Sequence, residues 1–246
     1  SVVVALMAVT GEASMVAKLG GTAESAALLS PVLERDDPSL VGAEAERALS
    51  VAYRVLANAQ LRLGHHELAE TAYRRAYDLS LSANAPVSVV DSLNGLAALH
   101  YYQGDLQEAE STWRLALSTA EQRGLVQHRA ILLNNLGELE WKRGATAQAV
   151  ETLTKAVHLH ESMGSDEGLA DTRRVLAECS LALGHEGEAS AHVALALEAA
   201  TRIASPYFVG ACHRTLAKVA KARGDAAGVA LHLRQALASF EDARLR

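Results

Sequence analysis

Apolar and small residues recur along this chain every forty positions. Leu56, Leu96, Leu136, Leu176 and Leu216 open the pattern, each followed directly by a small residue: Ala57, Ala97, Gly137, Ala177 and Ala217. Eight residues after each leucine stands a glycine, at Gly64, Gly104, Gly144, Gly184 and Gly224. Five further on come Ala69, Ala109, Ala149, Ala189 and Val229, and seven beyond those Ala76, Ala116, Ala156, Ala196 and Ala236. Between the two small positions lies a larger apolar residue: Tyr73, Trp113, Leu153, Val193 or Leu233. Counted from residue 50, these are unit positions 7, 8, 15, 20, 27 and 24.

The spacing predicts two helices per unit. Small residues seven apart share one face of a helix, so a second helix can lie close to the first along that face. The glycine ends the first helix, because a left-handed backbone angle costs it no side-chain strain. Position 35 ends the second helix with Asn84, Gly124, Gly164 or Ala204, and Pro86 and Pro206 follow two residues later, where a helix cannot run on. Asp105 with Glu108 reads as a helix N-cap and its capping-box partner. Regular units are expected at about 50–89, 90–129, 130–169, 170–209 and 210–246, with a degenerate N-terminal unit over 1–49. In that first stretch Lys18-Leu19-Gly20-Gly21 reads as a hairpin turn, Ala26-Ala27-Leu28-Leu29 as a second helix, and Glu34-Arg35-Asp36-Asp37-Pro38 as an acidic loop.

These residues resemble the tetratricopeptide repeat, whose pattern is large–x–x–Leu–Gly/Ala, then Gly, then Ala, an aromatic and Ala. Leu93, Leu96, Ala97, Gly104, Ala109, Trp113 and Ala116 match it most fully. Asn134-Asn135-Leu136-Gly137 is similar to the longer, forty-residue forms in kinesin light chains, polarity scaffolds and sensor domains of bacterial regulators. The resemblance implies an all-α, right-handed superhelical α-solenoid of helical hairpins over residues 1–246, held by contacts between neighbouring units. Arg173 and His213 stand at position 4, where a large apolar residue belongs, and Val229 replaces an alanine. The last two units are therefore expected to pack less regularly.

Composition narrows the function. Half of the 246 residues are apolar but only 4% are aromatic, which suits closely packed alanine-rich helices. A formal net charge of −6 argues against nucleic acid or an anionic membrane as partner. The charge is uneven: residues 1–48 carry seven acids against three bases, and residues 205–246 seven bases against three acids. That polarity makes weak head-to-tail self-association an expectation. Cys179 and Cys212 fall on apolar helix positions and read as buried reduced thiols in the cytoplasm. The run Val2 to Val9 lacks the preceding basic segment of a signal peptide. With Ser1 at its start, the chain reads as part of a longer or processed intracellular protein.

No chemistry of catalysis is legible. Gly20-Gly21-Thr22 lacks the lysine and spacing of a phosphate loop, and no serine sits in a nucleophile elbow. Ten histidines show no ligand spacing: His65-His66 has no partner four residues on, His158 and His160 point to different sides of a helix, and His185 and His192 stand two turns apart. The reading is neither an enzyme nor a cofactor or metal protein.

The first helix of each unit is the informative one, since in this fold it lines the concave groove. Position 5 reads Arg54, Asn94, Asn134, Arg174 and Arg214: all polar, none acidic. Position 9 adds Asn58, Glu138, Glu178 and Lys218, and position 12 adds Tyr101, Trp141 and Lys221. With Tyr102 and Asn135, these are amides, guanidinium groups and an aromatic strip that could hold an extended or helical peptide with an acidic segment. Arg54 and Asn58 are similar to the Lys-and-Asn pair with which some repeat proteins clamp a C-terminal carboxylate, although Gly95 stands where a second asparagine belongs. The leading reading is a protein- or peptide-binding scaffold, and the alternative an effector-sensing domain of a multidomain bacterial signalling or transcription regulator.

Overall fold

The computed structural model describes residues 2–35, 37 and 39–245. Asp36 and Pro38 of the acidic loop, Ser1 and Arg246 lie outside the described residues. Twelve helices and no strand occur among those described. They divide into two compact units, Ser1–Leu125 and Val126–Arg246. The first holds α1 (Val2–Lys18), α2 (Thr22–Leu33), α3 (Ala43–Arg62), α4 (His66–Ser82), α5 (Pro86–Gln103) and α6 (Leu106–Gln122). The second holds α7 (Val126–Lys142), α8 (Thr146–Met163), α9 (Asp166–Ala182), α10 (Glu186–Arg202), α11 (Pro206–Ala222) and α12 (Ala226–Leu245).

In each unit consecutive helices pair as hairpins, and each odd-numbered helix also touches the next odd-numbered one. The fixed small residues explain why. Ala69, Ala76, Ala109, Ala116, Ala149, Ala156, Ala189 and Ala196 are completely buried, as expected where a small side chain lets helices approach. The position-24 residues Tyr73, Trp113, Leu153 and Val193 are also buried. A Cβ on Gly95 in α5 would overlap the Tyr73 ring of α4, so bulk on one helix is matched by its absence on the next. This is the physical reason for a glycine where an asparagine would complete a carboxylate clamp.

Left-handed residues stand every twenty positions from Gly64 to Gly224, and at each one the helix closes in the same way. At the first, the Gly64 amide donates to the Leu61 carbonyl and the His65 amide to the Gln60 carbonyl, which is the Schellman motif. Ala204 takes the left-handed angle without being glycine or asparagine, at φ 48°. The helix starts differ from expectation. Asp105 is the N-cap of α6, but its side chain makes no capping hydrogen bond. Instead Ser165 and Ser205 accept from the amides of Gly168 and Phe208. Their ψ angles of 87° and 104° are more extended than the 65° of Asp105, and an extended backbone is what turns an N-cap side chain toward the helix.

The two units with position-4 substitutions also differ from each other. α9 and α10 pack as closely as the rest, around Ala170, Ala177, Val193 and Cys212. Arg173 lies along the surface toward Glu161, and His213 stacks on His232 with ring centroids 5.5 Å apart. In α12 the register loosens: Leu233, at the otherwise buried position 24, is 50% exposed.

Candidate functional site

In the first unit, α1 and α3 run side by side and leave a groove of about 820 Å³. The helical period of α3 sets its floor, because Ala48, Val51, Val55 and Ala59 return to one face every three or four residues. Gly11, Ser14 and Ala17 of α1 keep the opposite wall low. Cations rise around this apolar floor: Lys18 from α1, and Arg47, Arg54 and Arg62 from α3, with Glu44 the acid among the lining residues. Arg62 donates to the Ala17 carbonyl at 3.2 Å, so its head group is fixed across the groove. Arg54 lies 3.5 Å from Asp91 of α5, and its Nε is shut off from solvent with no hydrogen-bond partner.

Asn58 lines the same groove and is oriented from behind by the Tyr73 hydroxyl, which donates to its Oδ1 at 2.5 Å. Burial pushes the Tyr73 phenol far up, so it remains a donor across the physiological range. Asn58 also joins Arg62, His66 and Tyr102 around a shallower cavity of about 650 Å³. Arg54, Asn58 and Tyr102 are thus brought to neighbouring surfaces of unit 1. Asn94 and Tyr101 have structural tasks: Asn94 accepts from the Trp113 indole at 2.9 Å, and the Tyr101 ring packs 5.7 Å from Trp113.

In the second unit the sequence-predicted residues form a charged chain across α7, α9 and α11. Asn134 donates to Asp171 at 3.1 Å. Arg174 binds Asp171 at 2.7 Å and approaches Glu178 at 3.6 Å. Glu178, only 5% exposed, also takes Lys218 at 2.7 Å and accepts from the Thr215 hydroxyl at 3.2 Å. Burial works against the Arg174 charge, but Asp171, Glu178 and Glu138 outweigh it and hold the guanidinium above its ordinary value. Arg174 and the exposed Lys218 are therefore paired with acids of the chain, and Arg214 and Lys221 are further exposed cations of that stripe. Trp141 packs against the core cluster around Leu153 and Cys179. Asn135 lines a separate cavity with Asn134.

Sequence reasoning named neither Arg47, which precedes the first regular unit, nor Arg62, which holds the same unit position as Tyr102, nor the α1 wall, which has no forty-residue register. Both thiols are buried, which pushes Cys179 up to about 12 and Cys212 to about 11, so neither is a thiolate near neutrality. Among the described residues no group of three His, Cys, Asp or Glu gathers as metal ligands would. Nor is any helix among the described residues long and apolar enough to cross a membrane.

Two family models, both described as tetratricopeptide repeat, match residues 52–82 and 88–162. No curated protein matches the chain by sequence. Solved structures do match in shape. BtubC (BKLC) from P. vanneervenii is 19% identical with a TM-score of 0.66, over 92% of this chain and 88% of that one. The Rap conjugation gene regulator of plasmid pLS20, solved in complex with a Phr peptide, is 13% identical with a TM-score of 0.71, over 94% and 72%. A STAND signal-transduction ATPase with a tetratricopeptide repeat sensor, from Pyrococcus horikoshii, is 13% identical with a TM-score of 0.70. That match covers 96% of this chain but 35% of the ATPase. Forty-residue register, paired helices closed by left-handed residues, and both repeat models agree: residues 52–82 and 88–162 are tetratricopeptide repeats, and the helical hairpins after them keep the same register.

Proposed function

We propose that this protein-interaction module holds an acidic peptide segment, extended or helical, in the groove between α1 and α3. The observation that carries the reading is the groove's layout, with Lys18, Arg47 and Arg62 standing over an apolar floor beside Arg54, which is paired with Asp91. Guanidinium groups at intervals along a helix suit carboxylates on a ligand, and the floor between them suits its apolar side chains. The Phr peptide in the Rap regulator structure supports a peptide as the ligand class. Arg214 and Lys221 are the weaker alternative, because Arg174 and Lys218 beside them already have acidic partners. Work inside the cytoplasm and weak head-to-tail self-association belong to the same reading, and light scattering against concentration tests the second.

The test is fluorescence anisotropy with a labelled peptide carrying glutamates every seven residues and leucines between them, beside its lysine counterpart. The acidic peptide is expected to bind and the basic one not. Arg47→Glu combined with Arg62→Glu should weaken binding by about tenfold or more, since bonds to charged groups contribute about 1.5–3 kcal/mol each. Equal binding of the two peptides, or an unaffected double variant, removes the groove from consideration. The second reading, effector sensing, is supported by the STAND relative, whose repeats are a sensor.

A further inference from the structure

Unit 2 contains a cavity of about 290 Å³ bordered by α7, α9 and the last turn of α8. Gln127, Ile131 and Glu167 form an exposed rim, whereas Asn134, His160 and Thr172 on its floor are buried. Three polar atoms of that floor, Asn134 Oδ1, His160 Nδ1 and Thr172 Oγ1, are cut off from solvent and have no hydrogen-bond partner in the chain. A buried polar atom left unpaired forfeits its hydration with nothing in return, and folded proteins leave few such atoms. Three around one cavity point to something that binds there.

The lining fixes the sign of the ligand. Asn134 donates through its amide nitrogen to Asp171, so its carbonyl is the end left for the cavity. Thr172 and a neutral imidazole can accept as well as donate, and burial holds His160 below its ordinary value despite the pull of Asp171. Glu167 brings a carboxylate to the rim and Asp171, which Arg174 holds from behind at 2.7 Å, another to the wall, and no lysine or arginine lines the cavity itself. The amide ends of α9 open nearby, but Ser165 accepts from the Gly168 amide and the first turn already carries Asp166 and Glu167. Every polar side chain of the lining can accept, and the charged groups on it are the carboxylates. The walls include Ile131 and Phe208, which suit a short apolar stem. At about 30 Å³ of liquid per water molecule, the space suits one head group with a few methylenes.

We propose that this cavity binds a cationic nitrogen group, an alkylammonium or guanidinium on a short stem. Its source is either a small free amine or a Lys or Arg side chain of a bound protein. The site is independent of the groove between α1 and α3, so either can fail alone.

The probes are agmatine for the free amine and acetyl-arginine N-methylamide for the side chain, with N-butylurea as the uncharged comparison. Nitrogen NMR of the His160 imidazole should show a saturable shift with at least one cationic probe, and N-butylurea should bind about tenfold more weakly or less, as a neutral donor makes the weaker bond. Thr172→Val, which removes one orphan atom without changing shape, should weaken that binding several-fold, and so should Glu167→Gln at the rim. Ile131→Trp, at a half-exposed mouth position where folding is not at stake, should abolish it, with circular dichroism confirming intact helices. A response to agmatine alone assigns a free amine, and one to the blocked arginine alone assigns a side chain. The proposal is overturned if neither cation moves the His160 signals at millimolar concentration, as when water alone fills the space. It is equally overturned if the urea binds as well as the cations, or if Ile131→Trp binds like the parent.

Discussion

The Tyr73 ring occupies the space where Gly95 lacks a side chain, and its hydroxyl reaches past to hold Asn58. Gly95→Ala is therefore expected to destabilise by about 1–3 kcal/mol, the range for overpacking a well-filled core. Urea unfolding measures it, and the loss should shrink when Tyr73→Leu is made in the same chain. Buried histidines set the pH response. His160, His192 and His213 are each held below the ordinary 6.5, chiefly by burial. The unfolded chain then takes up protons first, so their contribution is complete above pH 6.5 and declines as pH falls toward their folded values. Asp166 is likewise shifted downward, below 3.8, mainly by its hydrogen bond from Arg202, and its contribution fades only in stronger acid. Thermal midpoints should fall in two steps on acidification, and His160→Leu should reduce the upper one. A midpoint flat from pH 7 to 5 would contradict this.

Helix ends divide into those legible in the sequence and those that are not. The glycines at forty-residue spacing announce one closure per unit because a left-handed angle selects glycine. Position 35 announces the other less clearly, since Asn84 and Ala204 do the same task at φ 48°. A left-handed residue with a Cβ costs about 1–2 kcal/mol, partly offset by the greater flexibility of unfolded glycine. Ala204→Gly should thus raise the thermal midpoint slightly, whereas Ala83→Gly, one residue before the left-handed Asn84 and itself right-handed, should lower it. The N-caps were hidden because capping depends on ψ, which residue type alone does not determine. α12 is the other exception: it packs on α11 and leaves Leu231, Leu233 and Leu237 half exposed. With so little burial, α12 should exchange its amide hydrogens faster than α8 or α10. Equal protection, measured by mass spectrometry, would show that something else covers it.

Across the whole molecule, repeat packing was readable because it demands the same small residues at the same positions. The candidate site was readable only in part. Arg54 and Asn134 were visible as polar residues, but the acids that occupy them, Asp91 and Asp171, come from the next odd-numbered helix, some 37 residues away. Whether a polar side chain serves a ligand or a neighbour depends on that partner. The same pairing redistributes charge. The excess of bases near the C-terminus is partly taken up by Glu178, while the acidic N-terminal stretch supplies Lys18 and Arg47 to a cationic groove that Arg54 and Arg62 complete. Stopped-flow measurements with the acidic peptide should accordingly show slower association for Arg47→Glu with Arg62→Glu, most at low salt. Arg214→Glu with Lys221→Glu should leave the rate nearly unchanged. The opposite ranking would return the acidic ligand to α11.

The fit of Tyr73 to Gly95 bears on how such a gene can change. In the other unit, medium-sized Leu153 shares its cluster with Val175, the residue that holds the place in α9 that Gly95 holds in α5. Each junction is thus matched by volume to one successor and not to its siblings. A recombination event setting α9 after α4 would drive the valine into the tyrosine ring, and the reciprocal product would leave a void beside the leucine. Although the modules look interchangeable in their spacing, their order is written into the seams, so the array should resist the duplication and shuffling that repetition invites.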